Sequence, residues 1–314
     1  MNDVPISLDD EAARAGWLYY VGGLTQDQIA AELGVSRQRA QRLVARAMSE
    51  GLIHVRLNHP LAACLKLEQD LSRRFGLGHC RVAPSLGRGS DPNRAIAGPA
   101  AAMIETFLRR PEPLTIALGT GRALRAAVEA LEPVEAPQHR IVSLIGNIAP
   151  DGSASFFDVI MRIADKVHAP HFPMPVPVIS DTAEERAMFH ALRAVRNAVS
   201  LARAADVVFV GVGQMTDDAP LRQDGFVSED QLHGMQARGA VGEVAGWAFD
   251  AQGRYIDQGL NERVGGVRVD PGRSAPVIGI AAGATKIAAI RAGLHGRILN
   301  GLVTDEPTAI ALLG

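Results

Sequence analysis

Cysteine and long apolar runs are what this sequence has least of. Its two cysteines, Cys64 and Cys80, provide neither a disulfide framework nor a CxxC metal pair, so we expect reduced thiols and no metal site. No apolar run reaches the roughly 18 residues of a membrane span, and residues 1–16 are acidic and polar, unlike a signal peptide. The sequence therefore predicts a cytoplasmic protein.

Lysine is also scarce, since the basic residues are almost all arginine and only Lys66, Lys166 and Lys286 are lysines. No Walker lysine and no dinucleotide-binding fingerprint are present, so we expect no nucleotide cofactor and no cofactor of another kind. A chain of 314 residues with 47% hydrophobic residues predicts two folded domains. Its net charge of −2 argues against nonspecific coating of nucleic acid but permits a locally basic surface.

The N-terminal region has the pattern of three short helices. Residues 9–21 carry apolar side chains at helical spacing, with acidic residues at the start. Thr25 stands at an N-cap position, and Gly34 ends the second helix. Only Gly34 and Val35 separate this helix from Ser36, which caps the third. Such a tight junction predicts a helix-turn-helix.

The outward side chains of the third helix are chiefly guanidinium and amide groups, which bind phosphates and purine edges in a major groove. We expect Gln38, Arg39 and Arg42 to contact bases, whereas Gln26 and Ser36 at helix N-termini suit backbone phosphates. The predicted DNA-binding residues are Gln26, Ser36, Arg37, Gln38, Arg39 and Arg42. The alternative is a solvated surface helix without a DNA partner.

The sequence divides into three predicted regions. Residues 1–58 form a winged-type helix-turn-helix domain, and the segment LIHVRLNHP after Gly51 is predicted to be a short strand that Pro60 closes. Residues 59–77 form a linker helix, whose apolar stripe packs either on its own domain or on a second subunit. Residues 78–314 form the effector domain.

From residue 78 onwards, short apolar runs alternate with helical stretches, which is typical of an α/β fold with a parallel sheet. The predicted strands are 80–84, 114–119, 140–146, 172–179, 206–213, 276–283 and 298–305. The predicted helices are 92–110, 121–131, 155–168, 184–203, 284–294 and 305–313.

Ligands of such folds bind beyond the carboxyl ends of the strands. The strand LTIALG leads into Thr120-Gly121-Arg122, where glycine lets the backbone approach an anion, although a structural turn explains the same residues. Lys286 falls in the first turn of a helix, where a cation opposes the helix dipole unless an anion compensates; the alternative is a surface lysine. Further candidates are Asn147, Glu243 and Asp250, each of which is otherwise a solvated loop residue.

Three segments identify a resemblance that spans the chain: LTQDQIAAELGVSRQRAQRLVARAMSEGLI, GAVGEVAGWAFDAQGRYID and IGIAAGATKIAAIRAGLHGRILNGLVTDEPTAIALL. In these the chain resembles the SorC family of sugar-binding transcriptional regulators, which are often grouped with DeoR-type repressors. The resemblance implies an effector domain like that of the sugar-phosphate isomerases and glucosamine-phosphate deaminases. It also implies a phosphorylated sugar as effector and a homo-oligomer, often a tetramer.

The resemblance assigns roles to several residues. It implies that Gly119, Thr120, Gly121 and Arg122 form a phosphate loop and that Asn147 lies in a ligand-facing loop. It further implies that Glu243 contacts the sugar and that Lys286 binds an anion. The predicted ligand-binding residues are Gly119, Thr120, Gly121, Arg122, Asn147, Asp158, Glu243, Asp250 and Lys286.

The sequence departs from the family pattern at three places. Ala123 replaces a threonine that would donate to phosphate, Gly146-Asn147 replaces a pair of glycines, and Phe157 replaces an asparagine, although Asp158 keeps an acidic neighbour there. A polyol or an unphosphorylated sugar therefore rivals a phosphosugar as the expected effector.

The sequence favours a DNA-binding regulator of a carbohydrate or polyol catabolic operon, which takes operator DNA and a small sugar, sugar phosphate or polyol as partners. An alternative is a sugar-phosphate isomerase or deaminase, in which Asp158, Glu243 or Asp250 would have to serve as the general base. A third possibility is an assembly module without affinity for DNA.

Overall fold

A computed structural model describes residues 7–53, 55, 61–153 and 159–314. The chain consists of two units, Met1–His59 and Pro60–Gly314. The boundary between them lies beside the start of the predicted linker helix.

The first unit is a bundle of α1 (Leu8–Tyr20), α2 (Gln26–Leu33) and α3 (Arg37–Ser49). Thr25 caps α2 in a capping box with Gln28, and the Ser36 hydroxyl caps α3 by accepting the Arg39 amide at 3.2 Å. Between these helices Gly34 has a φ of +64°, a left-handed conformation that glycine adopts without strain. The predicted helix-turn-helix is therefore present. The predicted strand after it falls largely on His54 and residues 56–60, outside the described residues.

The core of this bundle consists of small side chains, which lets the helices approach closely. Ala12 and Ala15 of α1 face Ala40 and Ala47 of α3, and all four are buried. A Cβ atom at Gly16 would lie 2.8 Å from Ala47 Cβ, which cannot rotate away, so glycine allows this close approach of α1 to α3. Close packing of α1 on α3 fixes the orientation of the third helix.

The second unit begins with α4 (Ala62–Phe75), which corresponds to the predicted linker helix. Leu71 of α4 is fully buried in the core of its own unit, together with Leu77 and Leu312. This packing matches the first of the two alternatives for its apolar stripe, while Leu61 and Leu65 remain exposed.

Among the described residues the second unit contains a seven-stranded parallel sheet and a three-stranded antiparallel sheet. The strands of the large sheet are β1 (His79–Ala83), β2 (Thr115–Leu118), β3 (Arg140–Ile148), β4 (His171–Pro177), β5 (Val207–Gly211), β9 (Val277–Ile280) and β10 (Gly301–Asp305). The strands of the small sheet are β6 (Gly213–Gln214), β7 (Ala240–Val244) and β8 (Trp247–Asp250).

The helices after α4 are α5 (Pro92–Leu108), α6 (Arg122–Glu129), α7 (Ile160–Val167), α8 (Ala183–Ala191), α9 (Arg193–Arg203), α10 (Pro220–Gln223), α11 (Glu229–Ala237), α12 (Ile287–His295) and α13 (Glu306–Leu313). Short 3₁₀ helices cover Gly259–Arg263 and Ala284–Lys286.

The large sheet is buried on both faces, which explains why its strands are continuous apolar runs. Along β5, Val208 and Val210 point to one core, which also contains side chains of α9 and α12. Val207 and Phe209 point to the other core, with side chains of α5 and α6. The predicted α/β class with a parallel sheet is confirmed.

The structure corrects one predicted element and adds one for which there was no prediction. Residues 184–203 were expected to form one helix, but the backbone is extended at Leu192, between α8 and α9. The break lets α9 bury Val195 and Ala202, whereas α8 buries none of its residues. No element was predicted for residues 240–250, which form the hairpin β7–β8.

The strand order β1-β10-β9-β5-β2-β3-β4 contains one reversal. From β2 the chain proceeds outward through β3 to β4, and from β5 it proceeds in the opposite direction through β9 to β10. The connections therefore diverge between β2 and β5, and the loops that follow these two strands leave a crevice at their carboxyl ends.

Candidate functional site

A cavity of about 220 Å³ lies at this crevice. The loop after β2 supplies Thr120, Gly121 and Arg122, and the residues that follow β5 supply Val212 and Gln214. The cavity is smaller than the roughly 300–1,000 Å³ of sites for drug-sized molecules, so it suits a compact ligand.

The loop after β2 brings a helix N-terminus and a cation to the cavity. Gly121, with a φ of +117°, precedes α6, and no side chain caps this helix. Arg122 forms an ion pair with Asp224, whose carboxylate oxygen lies 2.6 Å from Nη2. Burial raises the pKa of Asp224, and the guanidinium of Arg122 opposes that rise by stabilising the ionised form. The expected anion-binding loop is thus already engaged by a carboxylate of the chain.

The β7–β8 hairpin positions Glu243 at the cavity. Its turn residues, Ala245 and Gly246, have φ values of +52° and +83°, and the Gly246 amide donates to Glu243 Oε2 at 2.7 Å. On the paired strand β6, a Cβ atom at Gly213 would lie 2.1 Å from Glu243 Oε1, so the carboxylate occupies the space of a missing side chain. Burial raises the pKa of Glu243, while the Gly246 amide and the Lys286 ammonium group favour its ionised form.

Lys286 ends the 3₁₀ helix that precedes α12 and reaches into the cavity. Its Nζ donates to the Val212 carbonyl oxygen at 2.8 Å. Burial lowers the pKa of this lysine, and the charge of Glu243 opposes that effect. Lys286 is therefore partly buried and bonded, in contrast to the alternative of a freely solvated surface lysine.

The structure brings five of the predicted ligand residues together around the cavity: Thr120, Gly121, Arg122, Glu243 and Lys286. Gly119 lies just behind them, where its amide donates to the Phe209 carbonyl oxygen at 2.8 Å. Asn147 is in β3 and is not among the lining residues. Asp250 ends β8 at the far side of the hairpin from Glu243 and binds Arg254. Asp158 and Phe157 lie outside the described residues.

Several residues that line the cavity were not predicted, notably Asn93, Gln214 and Asp224. Gln214 was within reach of sequence reasoning, because it follows a predicted strand at its carboxyl end. Asp224 follows the short helix α10, which was not predicted, and it lies 102 residues from its partner Arg122.

The third helix of the first unit is the candidate DNA-binding element. It contains four arginines and no acidic residue. One face of α3 is exposed and carries Gln38, Gln41 and Arg42. Gln41 and Arg42 follow Gln38 by three and four positions, which places them beside it on the helix surface. Arg39 faces α1 instead, where its Nη2 lies 2.7 Å from Glu11 Oε2.

The other predicted DNA-binding residues lie close to that exposed face. Arg37 is exposed and forms an ion pair of 3.4 Å with Asp27. Ser36 is the cap of α3, and Gln26 is the first residue of α2. Both are thus at helix N-termini, where phosphate oxygens bind backbone amides.

In the described part of the chain, no helix combines the length and the apolar character that a membrane crossing requires.

Comparison with known proteins identifies both units. A family profile described as "Putative sugar-binding domain" matches residues 59–314, and the profile of the MarR family matches residues 15–59. The erythritol catabolism regulatory protein EryD of Brucella abortus (strain 2308) is 34% identical over 306 residues, covering 98% of this chain and 97% of the relative.

Two further relatives agree with this result. The transcriptional regulator LsrR of Enterobacter sp. (strain 638) is 33% identical over 310 residues, covering 97% of this chain and 93% of the relative. The crystal structure of the full-length sorbitol operon regulator SorC from Klebsiella pneumoniae matches with a TM-score of 0.72 and 28% identity, covering 98% of this chain and 100% of that chain. The chain therefore belongs to the SorC family of sugar-binding transcriptional regulators.

Proposed function

We propose that this protein regulates a carbohydrate or polyol catabolic operon in the cytoplasm, as a homo-oligomer whose affinity for operator DNA depends on a small effector. The observation that carries the proposal is the combination of two sites in one chain. The exposed cationic face of α3 suits DNA, and the cavity at the reversal of strand order suits a compact polar ligand.

On the DNA side, we propose that Gln38, Gln41 and Arg42 read base edges, because amide and guanidinium groups form paired hydrogen bonds with purines. Gln26, Ser36 and Arg37 would then bind backbone phosphates on either side. Arg39 supports this surface by holding α3 against α1 through Glu11 and contacts DNA only after that ion pair opens.

On the effector side, we propose that Glu243 and Lys286 bind ligand hydroxyl groups, with Thr120, Gly121 and Arg122 forming the opposite wall. Carboxylates accept hydroxyl hydrogen bonds and ammonium groups donate to hydroxyl oxygens. Asn147 and Asp250 stay predicted ligand residues, although neither is among the residues that line this cavity, and Asp158 stays a prediction outside the described residues. Effector binding would favour one arrangement of the oligomer, and that arrangement would differ in affinity for paired half-sites.

The proposed function involves binding without turnover. Of the three carboxylates considered as a general base, Asp250 binds Arg254 and is not among the residues that line the cavity, whereas Glu243 lines it and is held by the Gly246 amide. Incubating the protein with ribose phosphate or an amino-sugar phosphate should leave both unchanged, and formation of product would favour the enzyme instead.

The direct test is an electrophoretic mobility shift with DNA from upstream of the protein's own gene cluster. We expect a specific shift at moderate salt that one sugar, sugar phosphate or polyol weakens or strengthens. A protein that distinguishes this DNA from unrelated DNA in no condition would contradict the proposal. Sedimentation of the same samples would test the oligomeric state.

A further inference from the structure

One residue that lines the cavity has a buried amide oxygen without a hydrogen-bond partner among the described residues. Gln214, at the end of β6, is only 7% exposed and lines the cavity. Among the described residues, no group lies within hydrogen-bonding distance of its Oε1. Its Nε2 donates to the Asp218 carbonyl oxygen at 3.4 Å, which orients the amide and leaves Oε1 as the unused acceptor.

Asn93, which also lines the cavity, has a second buried acceptor without a hydrogen-bond partner among the described residues. Asn93, in the first turn of α5, donates through Nδ2 to Asp91 Oδ1 at 3.0 Å. Its Oδ1 is buried and has no partner among the described residues. Buried polar atoms are nearly always hydrogen-bonded, because leaving one unsatisfied costs free energy. Two unsatisfied acceptors in one cavity indicate a ligand that brings hydrogen-bond donors.

The charged residues that line the cavity indicate whether the ligand that supplies these donors is itself charged. Its lining contains two cations, Arg122 and Lys286, against three carboxylates, Asp218, Asp224 and Glu243. Arg122 is already paired with Asp224, and Lys286 interacts with Glu243. A phosphate group would therefore meet an excess of negative charge and would have to displace Asp224 from the guanidinium.

We propose that the cavity selects a small uncharged polyhydroxy ligand, a polyol or an unphosphorylated sugar, whose hydroxyl groups donate to Gln214 and Asn93. Asp224 holds Arg122 and takes the place of a ligand phosphate. This inference rests on the proposed function and narrows its effector to one chemical class.

The test is isothermal titration of the full-length protein with erythritol and sorbitol, each compared with its monophosphate, and with inorganic phosphate. We expect a neutral polyol to bind at least about tenfold more tightly than its phosphate. A phosphorylated probe that binds as tightly as its neutral counterpart, or a protein that binds neither neutral polyol, overturns the inference.

The Gln214→Met variant removes the acceptor while keeping a side chain of similar size. We expect affinity for the polyol to fall at least about tenfold, and the Tm of the ligand-free protein to stay the same or rise, because an unsatisfied buried atom is gone. The matched control is Gln138→Met, an exposed glutamine outside the cavity, which should leave affinity unchanged. Unchanged affinity in Gln214→Met overturns the inference. If that variant fails to fold, Asn93→Ala provides the same test at the second acceptor.

The Asp224→Asn variant tests the part played by charge. Loss of this carboxylate removes the ion pair that competes with a phosphate group for Arg122, so we expect affinity for the polyol monophosphate to rise about tenfold. No gain in this variant overturns the assignment of Asp224.

The mobility shift separates this inference from the function on which it rests. If the mobility shift responds only to a phosphosugar, the proposed regulatory function stands and the inference of an uncharged effector is overturned. If the protein binds a polyol tightly but shows no specific shift with any DNA, the uncharged ligand stands and the proposed regulatory function is overturned.

Discussion

The two candidate sites differ in whether they leave a cation without an acidic partner. On α3, three arginines pair with acidic residues of α1 and α2, but Arg42 is exposed and forms no ion pair among the described residues. In the cavity, each cation has an acidic neighbour, because Asp224 pairs with Arg122 and Glu243 lies near Lys286. This difference is what we expect if α3 binds a polyanion and the cavity binds the uncharged ligand proposed above.

The largest expected effect is on DNA binding. Arg42→Ala should lower affinity for operator DNA about 5- to 150-fold, since a base contact by arginine contributes about 1–3 kcal/mol. Fluorescence anisotropy at fixed salt measures this. The matched control is Arg46→Ala, whose guanidinium lies 2.9 Å from Asp9 on α1 and should matter much less. Equal losses in the two variants would show that the exposed face is not the reading surface.

Within the cavity, Glu243→Gln should weaken binding of a neutral polyol about 10-fold or more, because a hydrogen bond to a charged group contributes about 1.5–3 kcal/mol. DNA affinity without ligand should not change. Titration calorimetry on this variant and on Asp250→Asn compares the two predicted carboxylates. A greater loss in Asp250→Asn would place the ligand elsewhere on the hairpin.

Polyol affinity should also depend on pH. Burial raises the pKa of Glu243 above the ordinary glutamate value of about 4.3. As the pH is lowered, Glu243 should therefore gain its proton, and polyol affinity should fall, at a higher pH than for an ordinary glutamate. The charged and titratable groups that act on it are Lys286, Asp224 and Tyr255, and the Gly246 amide also favours its ionised form through a hydrogen bond. The dependence should vanish in Glu243→Gln, and a persistent dependence would assign it to another group.

In the ligand-free protein the same carboxyl group should make stability depend on pH in the direction opposite to polyol affinity. Its contribution to the free energy of unfolding is fully present below the ordinary pKa and is lost as the pH rises through the raised pKa, since the folded state holds the proton more tightly.

A smaller effect should come from Gly213→Ala. The added Cβ atom would lie 2.1 Å from Glu243 Oε1, and the carboxylate should move to make room. We expect polyol affinity to fall about threefold, because a displaced group no longer meets its partner correctly. The control is Gly234→Ala in α11, where a Cβ atom would meet only Arg238 Nη1 at 3.5 Å. Unchanged affinity in Gly213→Ala would mean that the exact position of Glu243 is unimportant.

The smallest effect should be that of Arg39→Ala on stability. Its exposed ion pair with Glu11 should contribute about 0.2–1 kcal/mol to the free energy of unfolding of the first unit. Thermal unfolding of the single variants and of the double variant with Glu11→Ala measures this coupling. A loss of DNA affinity larger than that of Arg42→Ala would instead make Arg39 a reading residue.

Much of the fold was predictable because its signals are local. Thr25, Gly34 and Ser36 each have a cap or turn role that depends on neighbouring residues. The strands of the parallel sheet are apolar runs because both faces are buried. The β7–β8 hairpin was missed because its alternating pattern is short and interrupted by glycines.

The site was predictable only in part. The rule that ligands bind at the carboxyl ends of parallel strands selected Arg122 and Lys286. The ion pair of Arg122 with Asp224 joins residues 102 positions apart, and no local pattern encodes such a contact. The polarity of the cavity therefore depends on contacts between segments that are far apart in sequence.

The position of Lys286 has a practical consequence for following this protein in solution. Amine-directed reagents have only three lysine side chains to modify, of which Lys66 is exposed and Lys166 donates to the carbonyl oxygens of Glu129 and Leu131. Lys286 alone of the three lines the cavity. The extent of acylation in the peptide that contains it, read by mass spectrometry against Lys66 as an internal standard, reports occupancy of the cavity without a labelled ligand.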